Sequence, residues 1–336
     1  MNRRTRTLLH LALAGTLALA ACGGNAAGDE PAPGSEKLQV VTSTTVYANL
    51  VEKIGGDAVQ ATALIDPLSQ DPHSYEATSR DKLAMSKAQL VVANGGGYDA
   101  FMDVLAKDLD LPATTVISAV DTSPVADEGE AADEHDEHAG ETAEEHADHA
   151  GETAEDHAGH DHAAFNEHVW YDLESMRLLS DEIAARLSTL DPAKASTFTA
   201  NAAGLTTEIQ GLEAKVATLR GSLEAKHFAM TEPVPFHLLE DLGMEDATPE
   251  GLSESIEGGS EVSPQAFNEM GTLFDNGSID VLAYNTQTES PQTERIRALA
   301  DAANVEVIDF TETLPPNTDY VSWMDANIRA MEALAK

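Results

Sequence analysis

The sequence predicts an α/β protein of two lobes, each with a short parallel sheet, joined by one long rigid helix. Three observations predict it. Short apolar runs alternate with helical stretches from Leu38 to Ile117, and again from His227 to the end. That alternation is the mark of βα units and parallel sheets. Between the halves, apolar residues recur at spacings of three and four from Leu173 to Leu190 and in a seven-four-three rhythm from Phe198 to Leu223, the helical period. About 315 residues remain once an N-terminal leader is set aside, enough for two lobes with a sizeable core.

Residues 1–21 read as that leader. Arg3, Arg4 and Arg6 precede an apolar run, Leu8 to Ala20, too short to span a bilayer. It ends in Leu19-Ala20-Ala21-Cys22, which resembles the lipobox of bacterial lipoproteins, whose cysteine is lipidated and becomes the new N-terminus. Acyl chains contribute about 0.8 kcal/mol per buried methylene, so two or three would anchor the protein stably to the membrane. Residues 22–37, rich in Gly, Ala and Pro, are expected to be a flexible tether.

The first lobe is expected over 38–190. Leu38–Val41 reads as a strand, Tyr47–Ile54 as a helix, Val59–Ile65 as a strand and Ser79–Lys87 as a helix. Leu90–Ala93 is a short buried strand running into Asn94-Gly95-Gly96-Gly97, followed by a helix through Phe101–Leu105 and a fourth strand at Thr115–Ile117. An insert over 127–163 follows, holding fifteen carboxylates and seven histidines: His135, His138, His146, His149, His157, His160 and His162. No Lys or Arg lies between Lys107 and Arg177. The segment from His138 to Asp148 recurs as His149 to Gly159, an eleven-residue repeat. Its glycines and dense like charge predict a solvated, disordered loop. Imidazole and carboxylate are ligands for divalent transition metals, so the insert points to metal handling.

Leu173–Leu190 is an amphipathic helix. Asp191-Pro192 then reads as an N-cap and first helical residue of a linking helix over 191–225, about 50 Å long at 1.5 Å per residue. The second lobe is expected over 226–336. His227–Met230 is a strand, Phe236–Leu242 a helix closed by Gly243, and Pro264–Phe274 a helix. Ile279–Tyr284 is a strand, Pro291–Ala303 a helix, Val305–Phe310 a strand and Tyr320–Ala335 the last helix.

Charge and cysteine content narrow the function. From Cys22 onward the formal charge is −43, which excludes a nucleic-acid partner and suits a protein that attracts cations. With one cysteine there is no intramolecular disulfide and no thiolate zinc site. A tight metal site must come from His, Asp, Glu, Asn or Gln. Three loop motifs stand where strands end or helices begin, the usual place for sites in α/β folds. They are Asp66–Glu76, Asn166-Glu167-His168-Val169-Trp170 and Thr231-Glu232-Pro233.

Together and in this order, the three motifs resemble those of the substrate-binding lipoproteins of zinc and manganese ABC importers, and the resemblance covers Leu38 to the end. Asp71-Pro72-His73-Ser74-Tyr75-Glu76 matches the family's first ligand element and implies His73. Asn166–Trp170, with Glu167 where the family has proline, implies His168. Glu232 stands at the third ligand position, His in typical zinc members and Glu in typical manganese members. The fourth ligand is placed by spacing on Glu289, with Gln287 and Asn285 as rivals. His227 and His237 are read as structural.

The resemblance implies a metal site in the interlobe cleft and capture of Zn²⁺, with Mn²⁺ as the alternative. It also implies delivery to an ABC permease and its ATPase subunit by a monomer held outside the membrane through Cys22. The insert favours zinc, since hard Mn²⁺ gains little from imidazole. It is expected to collect cations near the cleft as an accessory to the main site. A surface adhesin or metal buffer is a second reading. A zinc hydrolase is disfavoured because no His-Glu-x-x-His occurs.

Overall fold

The computed structural model describes residues 37–66, 71–125 and 165–335. The leader, Cys22, the tether as far as residue 36 and the seven-histidine insert lie outside the described residues.

Two sheets organise the chain. The first contains β1 (Leu38–Thr44), β2 (Val59–Ile65), β3 (Leu90–Ala93) and β4 (Val116–Ser118), all parallel, in the order β2-β1-β3-β4. The second contains β5 (His227–Met230), β6 (Glu245–Asp246), β7 (Val281–Asn285) and β8 (Glu306–Phe310), also parallel, in the order β6-β5-β7-β8. The two lobes therefore repeat one topology. In each, the chain leaves the first strand for one neighbour and returns on its other side. A crevice opens at such a switch point beyond the carboxyl ends of the strands.

Strand composition follows position. β3 and β7 lie inside their sheets and are buried throughout, and apart from the terminal Asn285 they read as continuous apolar runs. Edge strand β8 carries exposed Glu306 and Asp309, charges that discourage pairing with another chain.

Helices cover the sheets: α1 (Thr45–Gly55), α2 (Ser79–Met85) and α3 (Ala100–Asp108) in the first lobe, then α4 (Leu173–Leu190) and α5 (Ala195–Leu223). The second lobe adds α6 (Phe236–Asp241), α7 (Leu252–Glu257), α8 (Pro264–Asp275), α9 (Pro291–Ala303) and α10 (Tyr320–Met331). Helix starts are capped locally. Asp172 accepts from the Ser175 amide before α4, and Ser290 caps α9 with Pro291 at its first position.

The linking helix is shorter than its sequence pattern suggests, because Pro192–Lys194 forms a separate 3₁₀ turn and α5 has 29 residues. Its buried stripe, Phe198, Leu205, Ile209, Leu212 and Val216, belongs to one hydrophobic core. That core also takes Val40 and Leu90 from the first sheet and Phe228, Val281 and Ile308 from the second. The helix is thus packed into both lobes along its length.

Candidate metal centre

His73 and His168 reach the cleft on loops shaped by the residues around them. Asp71 accepts the His73 amide at 2.9 Å, which closes a tight turn before the ring. The ring packs edge-on against buried Tyr98, with centroids 4.9 Å apart. Tyr98 follows Gly95-Gly96-Gly97, all at positive φ. A Cβ on Gly96 would stand 3.0 Å from Glu167, so glycine here lets the two loops approach. Asn94 completes the junction by donating to the Glu167 carbonyl at 2.9 Å.

Asn166 fixes the His168 ring. Its side-chain oxygen accepts from the His168 amide at 3.0 Å and from ring Nδ1 at 2.7 Å. An amide oxygen only accepts, so Nδ1 carries the proton and Nε2 presents its lone pair to the cleft. The other end of Asn166 donates to the Pro233 carbonyl at 2.8 Å, and His237 bonds the Asn166 carbonyl at 2.9 Å. His237 is thus a support of this loop. His227 lies away at the surface, 3.3 Å from Glu245.

The third group is Glu257, at the end of α7. Its Oε1 lies 3.3 Å from His168 Nε2 and 3.6 Å from His73 Nε2. One ligand atom from each of the three residues lies within 4.8 Å of the others. Neither His168 Nε2 nor Glu257 Oε1 has a hydrogen-bond partner among the described residues. A tetrahedral ion with ligands at about 2.1 Å sets them about 3.4 Å apart, so the two separations from Glu257 are those of a coordination shell. A cavity of about 320 Å³ lined by Asp71, His73, Gly97, Glu254 and Glu257 leads to these atoms.

The electrostatics call for a cation. Burial, then the charges of Glu167, Glu232, Glu312 and Glu254, pushes the Glu257 carboxyl up to about 9. Burial raises Glu167 to about 7. Burial and Glu232 raise Glu312 to about 8. Burial, with His73 and His237 nearby, holds His168 well below the usual imidazole range, so it is neutral. A divalent ion would be bound by neutral imidazoles and by a carboxyl that gives up its proton.

The structure brings two of the four residues expected from sequence, His73 and His168, into this group; Glu232 and Glu289 do not join it. Glu232 is buried beside the cleft, but its carboxylate is engaged by Asn285 and by the Thr288 hydroxyl, the latter at 2.5 Å. Glu289 is exposed on the following loop and interacts with the Tyr284 phenol. Sequence reasoning missed Glu257 because no helix is expected at 252–257. The available signal was faint: Leu252 and Ile256 four residues apart, then Gly258-Gly259. It also missed Glu312, 1% exposed, which accepts from the Tyr98 hydroxyl at 3.0 Å.

Comparison with known proteins gives the family. Residues 40–334 match the family described as ZnuA, zinc-uptake complex component A periplasmic. The metal ABC transporter substrate-binding lipoprotein ScbA of Streptococcus cristatus is 26% identical over 277 residues, 76% of this chain and 77% of that protein. The manganese ABC transporter substrate-binding lipoprotein PsaA of Streptococcus anginosus is 36% identical over 93 residues, only 28% of either chain. The solved periplasmic zinc binding protein TroA from Treponema pallidum shares the fold, with a TM-score of 0.68 at 20% identity over 89% of this chain and 99% of that one. The chain belongs to the ZnuA family, the substrate-binding components of metal importers of the ABC type.

Proposed function

We propose that this protein captures one Zn²⁺ outside the cytoplasmic membrane and hands it to an ABC permease driven by its ATPase subunit. The observation that carries the reading is the convergence of His73, His168 and Glu257 on one point of the cleft. Two imidazoles and one carboxylate make an N₂O donor set. Zinc accepts such a set readily, whereas Mn²⁺ favours a shell richer in oxygen. Manganese is the second reading, supported by relatives named for it, such as PsaA, and by the Glu at position 232.

The ion is cargo in this reading, and no residue activates a metal-bound water. Cys22 carries the lipid anchor, and residues 22–37 tether a monomer to the membrane surface. The histidines of residues 127–163 gather cations weakly and raise their concentration near the cleft.

Calorimetric titration of Zn²⁺ into the mature protein, a form lacking residues 127–163 and His73→Ala tests the reading. One tight site should survive the deletion and be lost in His73→Ala. If the deletion abolished tight binding while His73→Ala kept it, the cleft would not be the transport site.

A further inference from the structure

Three glycines at positive φ, Gly95 to Gly97, deliver Tyr98 into the cleft, and its amide closes the loop on the Gly95 carbonyl at 3.2 Å. The side chain is wholly buried there. Its ring stands edge-on to both histidines of the site. The centroid of His73 lies 4.9 Å away at an interplanar angle of 86°, and that of His168 lies 5.8 Å away at 70°. The same ring packs on Trp170, with centroids 4.5 Å apart. The hydroxyl crosses to the second lobe, where it donates to Glu312 Oε2 at 3.0 Å. Glu312 lies two residues beyond β8 and is fixed from its other side by Asn285, which donates to Oε1 at 2.8 Å. One side chain thus touches both histidines of the first wall and is bonded to the second wall.

We propose that Tyr98 is the positioning residue that retains the ion: its ring orients the two histidines, and its hydroxyl fastens them to the second lobe through Glu312. The proposal rests on the cleft reading above. His73 and His168 come from the first wall and Glu257 from the second, so an ion leaves when the walls separate. Separation breaks the Tyr98–Glu312 bond. Hydrogen bonds to carboxylates are about twice as strong as neutral ones, and a buried acceptor that loses its donor has no water to replace it. An oxygen that accepts one hydrogen bond keeps a second lone pair, so this bond does not take Glu312 away from an ion. Tyr98 touches no metal in this scheme and acts through the groups it holds.

The test compares mature wild-type protein with Tyr98→Phe, Tyr98→Leu and His168→Ala. Zn²⁺ release is timed by stopped-flow transfer to a chromophoric chelator, and the ligand arrangement is read from the visible spectrum of the Co²⁺-loaded protein. Tyr98→Phe removes one oxygen and keeps the ring. It should release Zn²⁺ about tenfold faster, with association within about twofold of wild type. Tyr98→Leu also removes the ring that orients the histidines, so release should be faster still and the cobalt spectrum should change. Either variant decides the matter if the other does not fold. Wild-type release from a folded variant, whatever its metal-free Tm, is what a merely structural tyrosine gives and would overturn the proposal. So would a wild-type cobalt spectrum in Tyr98→Leu. If wild type lacks a single tight site, or His168→Ala keeps it, the cleft reading itself fails and the proposal falls with it.

Discussion

On the first-lobe side of the cleft, the His168 ring is locked by Asn166, and the nitrogen facing the cleft has no hydrogen-bond partner among the described residues. On the second-lobe side, Glu232 and Glu312 have a donor on every carboxylate oxygen, whereas buried Glu257 Oε1 has no hydrogen-bond partner among the described residues. The two walls carry similar numbers of ligand-type residues but differ in what they offer. An imidazole oriented by its second nitrogen is preorganised for an ion. A carboxylate bonded to neighbours is held in place by them, and each such oxygen keeps a second lone pair. What sets the carboxylates apart is distance: among the described residues Glu257 is the one grouped with both histidines.

Substitutions at the ligands test that contrast most severely. Loss of an outer-shell partner costs about 10–100-fold in metal affinity, and loss of a ligand should cost more. His168→Ala should thus weaken Zn²⁺ binding beyond the level of Asn166→Leu, which should itself fall in the 10–100-fold range, as measured by competition with a chromophoric chelator. Between the carboxylates, Glu257→Gln should lose about 100-fold and Glu232→Gln less than about tenfold. The opposite order would make Glu232 the ligand and Glu257 the spectator, and the comparison between the walls would collapse.

The sequence displays whatever is decided locally. Helices α4 and α9 run over the residues their periodicity and caps predict, because Asp172 and Ser290-Pro291 act within one turn. The two histidines stand in dense local motifs, Asp71-Pro72-His73 and Asn166-Glu167-His168, whose turns are built by the adjacent side chains. Glu257 is different. It lies on six helical residues between Gly251 and Gly258-Gly259, too short for a periodic signal, and it meets the histidines only through the packing of the second lobe. The restraint on Glu232 is likewise invisible in sequence. It depends on Asn285 and Thr288, more than fifty residues away, arriving at its carboxylate.

A smaller effect comes from the pH dependence of the metal-free fold. Glu257, Glu312 and Glu167 are held at about 9, 8 and 7, above the ordinary value of 4.5, mainly by burial. Asp99, buried under the glycine loop, is raised from 3.8 to about 6. Over this window the folded state binds more protons than the unfolded chain, so stability falls as pH rises. The stabilisation is complete below the unfolded values and is lost as each folded value is passed. Calorimetry of chelator-treated protein should give a lower Tm at pH 8.5 than at pH 6, and saturating Zn²⁺ should raise the pH 8.5 value most. A metal-free Tm that rises over the same interval would mean that the carboxylates on the second wall are not held as described.

The smallest effect separates the fold from the ligands. Gly204, Gly211 and Gly221 lie on α5 with open space where a Cβ would stand. Glycine inside a helix costs about 0.5–1 kcal/mol relative to alanine, largely through the freedom of the unfolded chain. Gly211→Ala should therefore stabilise the protein by about that amount in urea unfolding. Because α5 packs into both lobes through its opposite stripe, the substitution leaves the cleft geometry alone, and Zn²⁺ affinity should stay within about twofold of wild type. If affinity moved with stability, the walls of the cleft would depend on helix flexibility, and ligand presentation could not be assigned to the local hydrogen bonds of Asn166.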